Sequence, residues 1–443
     1  MFELLRAPKN WVNIFKIKEL RERILFTLAL LAVYRVGTHI PLPGVNAKAL
    51  GEFFREALAG TTFGIYDIFV GGALQRAAVF GIGIMPYISA SIIIQLLTTA
   101  VPTLERLQKE GEHGRRKINQ YTRYLTIFVA AVQAFGITAF LQRLTSPSGA
   151  PVVPHPGPLF TLSTVIALVA GTMFLMWMGE QITERGIGNG ISVLIFVGSL
   201  DAIPNEIMST ITLYKSGAIG WQSLLAVALL VVLVTAAVVA VTEAQRRVPI
   251  HYAKRMIGRR VYGGQTTYLP LTVNTAGVIP IIFAQSVMMF PQTISTFSSA
   301  PWAEGLAAMF QPGTWLYDSI YAALIIFFAY FYTSVVINPK DMADNLQRYS
   351  GFIPGVRPGE ETARYIDRVL TRIILPGAVF FAIIALIPWY ISKWFNVPLY
   401  FGGTRLLIIV GVALEMLQQI NAHLVMRQYD GLLRKGTIRG WRT

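Results

Sequence analysis

A chain of 443 residues in which 54% are hydrophobic and only 14% charged belongs among multi-spanning membrane proteins; a soluble fold would need several domains with unusually apolar surfaces. Its net charge of +15 would point to nucleic acid in a soluble protein, but here the placement of the charge along the chain accounts for it. The lack of cysteine excludes disulfides and thiolate metal sites, and His39, His113, His155, His251 and His423 stand singly, so no metal, cofactor or acid–base cluster is expected.

Residues 1–23 are polar and basic, with Trp11, Ile14 and Phe15 able to share one helical face, and read as a helix lying on the membrane surface. The apolar run that follows leads into Tyr34 and Arg35 rather than a small-residue cleavage site, so no cleavable signal peptide is expected. Ten apolar spans are predicted, at 24–40, 77–99, 121–141, 159–178, 187–203, 221–241, 273–290, 315–337, 373–391 and 406–420.

The stretch 63–99 is the most informative. As one helix it would be about 55 Å long, against a hydrocarbon core of about 30 Å. Gly71 and Gly72 divide it where helix propensity is poorest. The first piece, 63–70, is too short to cross, and such a half-helix is tolerated only inside protein or lining a watery cavity. It is therefore expected to be re-entrant, sitting in a hole whose wall is the second span, with Gly81, Gly83 and Pro86 near its start and Ser89, Ser91 and Gln95 further along.

Most of the 38 Lys and Arg fall in the N-terminus, the loops after spans two, four, six and eight, and the tail. By the positive-inside rule both termini face the cytoplasm. The loops 243–272 and 338–372 are long and basic, either as simple topogenic charge or as a docking surface for an anionic partner such as RNA or an acidic protein face. Spans one to five and six to ten make halves of odd span number, the layout of an inverted repeat. The expected parts are an N-terminal segment 1–23, halves 24–205 and 206–420, and a basic tail 421–443.

Residues 78–97 (AVFGIGIMPYISASIIIQLL) and 177–195 (WMGEQITERGIGNGISVLI) closely resemble the two signature regions of the SecY/Sec61-alpha family of protein-translocation channels. Tyr252-Ala-Lys-Arg, Gly258-Arg-Arg-Val-Tyr, Asn274 to Pro280, Gly355-Val-Arg-Pro-Gly359 and Tyr400-Phe-Gly-Gly-Thr404 are similar to it in the same order. Val70 and Arg405 depart from the pattern, standing where the family often has serine.

The resemblance implies an all-α polytopic membrane protein of ten helices, in two inverted pseudo-symmetric halves around a central pore. It implies a plug at 63–74, including Phe63, Tyr66, Asp67, Phe69, Gly71, Gly72 and Leu74; Asp67 and Arg76, which flank the Gly-Gly break, either pair to hold it or are solvated in the outer funnel. A ring of apolar side chains carries over to Ile84, Ile88, Ile191, Ile195, Ile282 and Ile408; such a collar of stiff branched groups excludes water without gripping a passing chain. A lateral gate carries over to Ser89, Ser91, Gln95, Asn189, Ser286 and Phe290, although for Gln95 and Asn189 ordinary structural hydrogen bonding is an equal reading. Lys254, Arg255, Arg259, Arg260 and Arg357 would meet the ribosome or the SecA motor, and SecE and SecG would complete the complex. The expected function is a passive pore, not an enzyme, for unfolded secretory chains and nascent membrane helices in a bacterial inner membrane. The alternative is a secondary transporter, with Asp67, Arg76, Asp201, Glu243 and Glu415 as the ionisable candidates for coupling. The glycine-rich 186–190 lacks the strand context and lysine of a phosphate loop.

Overall fold

The structure, a computed structural model, describes residues 17–57, 67, 70–146, 149–201, 203–217, 219–252, 255–257, 260–262, 266–289, 291, 302, 305, 308–311, 313–395 and 403–435. Every predicted span carries a helix. In chain order these are α1 (Lys18–Gly37), α2 (Ala47–Ala57), α3 (Met85–Ala100), α4 (Pro102–Lys109), α5 (Glu112–Arg143), α6 (Pro158–Arg185), α7 (Gly190–Asp201), α8 (Ile203–Lys215), α9 (Trp221–Thr242), α10 (Ile279–Met288), α11 (Trp315–Val336), α12 (Pro339–Arg348), α13 (Glu360–Phe395) and α14 (Gly403–Lys435). Among the described residues seven segments are long and apolar enough to cross a membrane, and α3 with α4, bent by 98°, makes an eighth candidate. Lys18 to Arg23, expected on the membrane surface, are the first turns of α1. The contacts divide the chain into two compact units, Met1–Ile203 with Val412–Thr443, and Pro204–Gly411.

In the first unit α5 is the packing spine. Thr122, Thr126, Ala130, Ala134 and Thr138 recur every four residues and are all buried, a stripe of small side chains that lets neighbouring backbones come close. α5 packs against α3 and α6. The Thr126 hydroxyl donates to the Thr122 carbonyl at 2.7 Å and Thr138 to Ala134 at 2.7 Å, so neither brings an unpaired hydroxyl into the helix interface. Tyr124, Phe128 and Phe135 on other faces are exposed, as lipid contacts require.

The second span departs from its expected bounds. Its helix starts at Met85, with Pro86 in the first turn, where proline's fixed φ fits and its missing N–H is no loss. Residues 70–84 run as linked turns, because Gly71, Gly72 and Gly83 hold φ of +69°, +72° and +62° and Ala77 holds +48°. The turns close much of their own backbone: Gly72 N–H to Asp67 O at 2.8 Å, Ala78 N–H to Ala73 O at 2.7 Å and Gly83 N–H to Phe80 O at 2.8 Å. Leu42 N–H to Ala77 O and Val79 N–H to Ile40 O, at 2.7 and 2.9 Å, tie them to the chain leaving α1. This is irregular backbone of the kind membranes tolerate only within protein.

In the second unit α10 is short and almost wholly buried, with every residue from Pro280 to Ser286 inside. It packs on α11, where Phe283 meets Phe328 edge-on at 5.7 Å. The two long basic loops hold strands that the sequence reading did not place. β1 (Gln245–Tyr252) pairs antiparallel with β4 (Thr266–Thr272), in the register Gln245↔Thr272 to His251↔Thr266. β5 (Gly351–Phe352), from the other loop, joins the opposite edge of β1 through His251↔Phe352 and Tyr252↔Gly351. β2 (Arg255–Ile257) and β3 (Arg260–Tyr262) form a separate hairpin. Val248, Leu271 and Ile353 share a core with Ile366, Leu370 and Ile374 of α13, so the sheet is rooted on the ninth span.

Candidate functional site

The expected ring residues lie within protein. Ile84, Ile88 and Ile195 are buried in the first unit and Ile282 and Ile408 in the second, while Ile191 is half-buried. Ile93, Ile127 and Ile166, on other faces of these and neighbouring helices, are exposed. The local frame of Ile191 is set by Asn189, whose Oδ1 accepts the N–H of Ile191 at 3.1 Å and of Ser192 at 3.3 Å, a side-chain cap on the first turn of α7.

The glycine-rich loop before that helix is held from several directions. The Ile187 N–H donates to Thr27 Oγ1 at 3.1 Å, the Gly190 N–H to Thr183 Oγ1 at 2.9 Å, and the Gly188 N–H to Gln419 Oε1. Arg23 Nη1 donates to Gly186 O at 3.3 Å. The amides that a phosphate would need are thus engaged by side chains.

Of the expected gate residues, Ser89 and Ser286 are buried and Ser91, Gln95 and Asn189 half-buried; Phe290 lies outside the described residues. Their hydrogen bonds are local. Gln95 Nε2 donates to Ser91 Oγ at 3.1 Å and Ser286 Oγ to Ile282 O at 3.0 Å. Gln95 Oε1 is buried with no hydrogen-bond partner.

Phe63, Tyr66 and Phe69 of the expected plug lie outside the described residues. Asp67, Val70 and Leu74 are buried. Asp67 Oδ1 accepts the N–H of Leu74 and of Gln75, each at 2.9 Å, folding the Gly-Gly turn onto itself. Burial pushes the Asp67 carboxyl up to about 6, against the pull of the two amides and of Arg76. Arg76 reaches past it: Nη1 donates to Gly71 O at 3.2 Å and Nη2 lies 3.5 Å from Asp201 Oδ2. Asp201 also pairs with Arg35 at the end of α1. Tyr34 Oη donates to Val70 O at 3.2 Å, and a Cβ on Gly71 would stand 3.2 Å from Gly198 Cα.

The sequence reading missed this cluster around Asp201: it weighed Asp201 only as a coupling group of a transporter, and Arg76 as that or as a partner of Asp67 in holding the plug. The available signal was a lone carboxylate at the end of one span with arginines at the ends of two others. It also missed a two-point ion pair between α5 and α6, with Arg123 Nε to Glu180 Oε1 at 3.1 Å and Nη2 to Oε2 at 2.7 Å.

Of the basic loop residues, Arg357 is exposed in the turn after β5. Arg255 and Arg260 lie on the β2–β3 hairpin, and Lys254 and Arg259 lie outside the described residues.

Comparison with known proteins agrees with this architecture. A family model described as SecY matches residues 78–417. The protein translocase subunit SecY of Aquifex aeolicus (strain VF5) is 50% identical over 436 residues, covering 98% of this chain and 100% of its own. Two solved structures share the fold. One is a SecY channel studied for its plug domain, which stabilises the closed state and maintains a membrane seal (17% identity, TM-score 0.64, 95% of each chain). The other is Sec61 in a canine ribosome–channel complex (16% identity, TM-score 0.62, 95% of each chain). With most of its length matched by the family model and half of its residues identical to a full-length relative, the chain belongs to the SecY family of protein translocase subunits.

Proposed function

We propose that this chain carries the family's translocase function through a waist of six isoleucines, Ile84, Ile88, Ile191, Ile195, Ile282 and Ile408, stoppered by the segment 63–74. Unfolded secretory chains pass through the waist, and apolar segments leave sideways between the second and seventh spans, past a gate of Ser89, Ser91, Gln95, Asn189, Ser286 and Phe290. The observation that carries this reading is burial: five of the six side chains are turned into protein, where a lipid-facing isoleucine would be exposed. Collars of branched aliphatic groups seal by dewetting and offer a sliding polypeptide no polar group to bind.

The chain works as a passive conduit in a bacterial inner membrane, with both termini in the cytoplasm and the halves divided at 24–205 and 206–420. SecE and SecG complete the complex, and the energy comes from the SecA motor or from the ribosome. These partners dock on the basic cytoplasmic loops through Lys254, Arg255, Arg259, Arg260 and Arg357. The β2–β3 hairpin lies in the chain between β1 and β4, and the rooting of their sheet on α13 supports this part of the reading, since a docking surface must be held at its base to transmit force.

Ion conductance of the purified complex in liposomes tests the waist. Replacing Ile84, Ile88 and Ile282 together by asparagine raises the resting leak if the reading is right. Unchanged leak together with uptake of a small solute against a gradient would favour a transporter.

A further inference from the structure

We infer that Asp201 is the positioning residue that seats the neck of the plug, Val70 to Arg76, by holding Arg76 in place. This rests on the reading of 63–74 as the plug and adds its anchor. Asp201 ends α7, and its side chain is only 12% exposed, against 42% for Arg35 and 34% for Arg76. One carboxylate thus serves two guanidinium groups from separate parts of the chain, α1 and the turns before α3. Arg76 spends its other arm on Gly71 O at 3.2 Å, inside the left-handed turn that joins the plug to the second span. Tyr34, the neighbour of Arg35, takes the next carbonyl, Val70 O, at 3.2 Å.

The neck is therefore held at two successive carbonyls by side chains whose own positions depend on α1 and α7. Gly198, one turn before Asp201 on α7, supplies the flat surface against which Gly71 rests. Removing the Asp201 charge takes from Arg35 and Arg76 the carboxylate they share and leaves two like charges in a partly buried arrangement that relaxes by moving one of them away. Arg35 is fixed in a helix, so the movable partner is the neck. Seated and released plugs are then two states whose balance Asp201 sets.

The chain lacks cysteine, so a single reporter can be read cleanly. Val70→Cys, at a buried position, is placed in the full complex, and its labelling by a membrane-impermeant maleimide is timed in spheroplasts. With Asp201 intact the thiol is shielded. Asp201→Asn, and independently Arg76→Gln, should accelerate labelling roughly tenfold or more, while Asp201→Glu keeps most of the shielding. Glu206→Gln, which breaks a buried ion pair elsewhere on the chain, should leave the rate unchanged. Unaltered labelling in Asp201→Asn and Arg76→Gln, with the parent shielded, overturns the anchor and leaves the plug standing. Fast labelling in the parent overturns the plug reading itself. Equal acceleration by Glu206→Gln would mean general loosening and also overturn the anchor.

Discussion

Arg405, in the first turn of α14, is paired with Glu206 of α8, with 3% and 9% of the two side chains exposed. Arg405 is one of the two positions where the chain departs from its family's pattern, and a guanidinium so deeply placed needs its carboxylate. Removing one member of a buried pair costs about 3–5 kcal/mol, whereas removing both costs far less. Arg405→Ser should therefore lower the thermal unfolding midpoint of the purified complex markedly, and Arg405→Ser with Glu206→Gln should recover much of the loss. An additive double mutant would show that the two residues do not act as a pair.

The Asp67 carboxyl gives the resting seal a pH dependence of definite sign. It lies between the first two spans, and burial raises it to about 6, whereas a released carboxyl in water titrates near about 3.9. The seated state binds the extra proton, so the seat is strongest below about 4 and weakens as pH rises through 6. The two amide bonds both fall on Oδ1, leaving Oδ2 to carry the proton. Resting ion leak should be lower at pH 5 than at pH 7.5, and Asp67→Asn should flatten that difference. A leak that falls between pH 5 and pH 7.5 would contradict the assignment.

Asn189 acts as a helix cap on the geometry of its own turn. Asn189→Ala should cost about 1 kcal/mol of stability, and Asn189→Asp, which caps as well, should cost little. Thermal unfolding separates this from a gate role, since a gate polar cluster would make the new charge of Asn189→Asp change conductance at unchanged stability.

Gly71 combines a left-handed φ of +69° with a neighbouring backbone 3.2 Å from where its Cβ would stand. Gly71→Ala should strain the neck by about 1–2 kcal/mol and raise resting leak. Gly51→Ala, at a position where nothing lies within 4 Å, should leave the leak at its parent value.

Much of this was legible in the sequence because lipid imposes so strict a pattern. Each of the ten predicted spans carries a helix, though not always at the expected bounds, and the Gly71-Gly72 break was readable from propensity. What escaped had physical reasons. The second helix starts at Met85 because four positive φ values break the backbone before it, and apolar Ala77 to Ile84 look helical by composition alone. The sheet was hidden by Pro249 and Pro270, which argue against strands. Pro249 is accommodated because β5 covers only the far end of β1, at His251 and Tyr252, and Pro270 because β4 is an edge strand. The Asp201 cluster joins positions 35, 76 and 201, and no local pattern links residues so far apart. Asn189 was open between a gate cluster and structural hydrogen bonding, and its bonds to the amides of Ile191 and Ser192 depend on a local turn geometry that composition does not display.

The central claim is that a polypeptide in transit passes through the isoleucine waist. A secretory precursor stalled midway, carrying a photo-crosslinker at successive positions, tests it most directly. The account predicts crosslinks to Ile84, Ile88, Ile191, Ile195, Ile282 and Ile408 from one short window of the precursor. Crosslinks that bypass these six and fall instead on exposed positions such as Phe128 or Leu229 would contradict it.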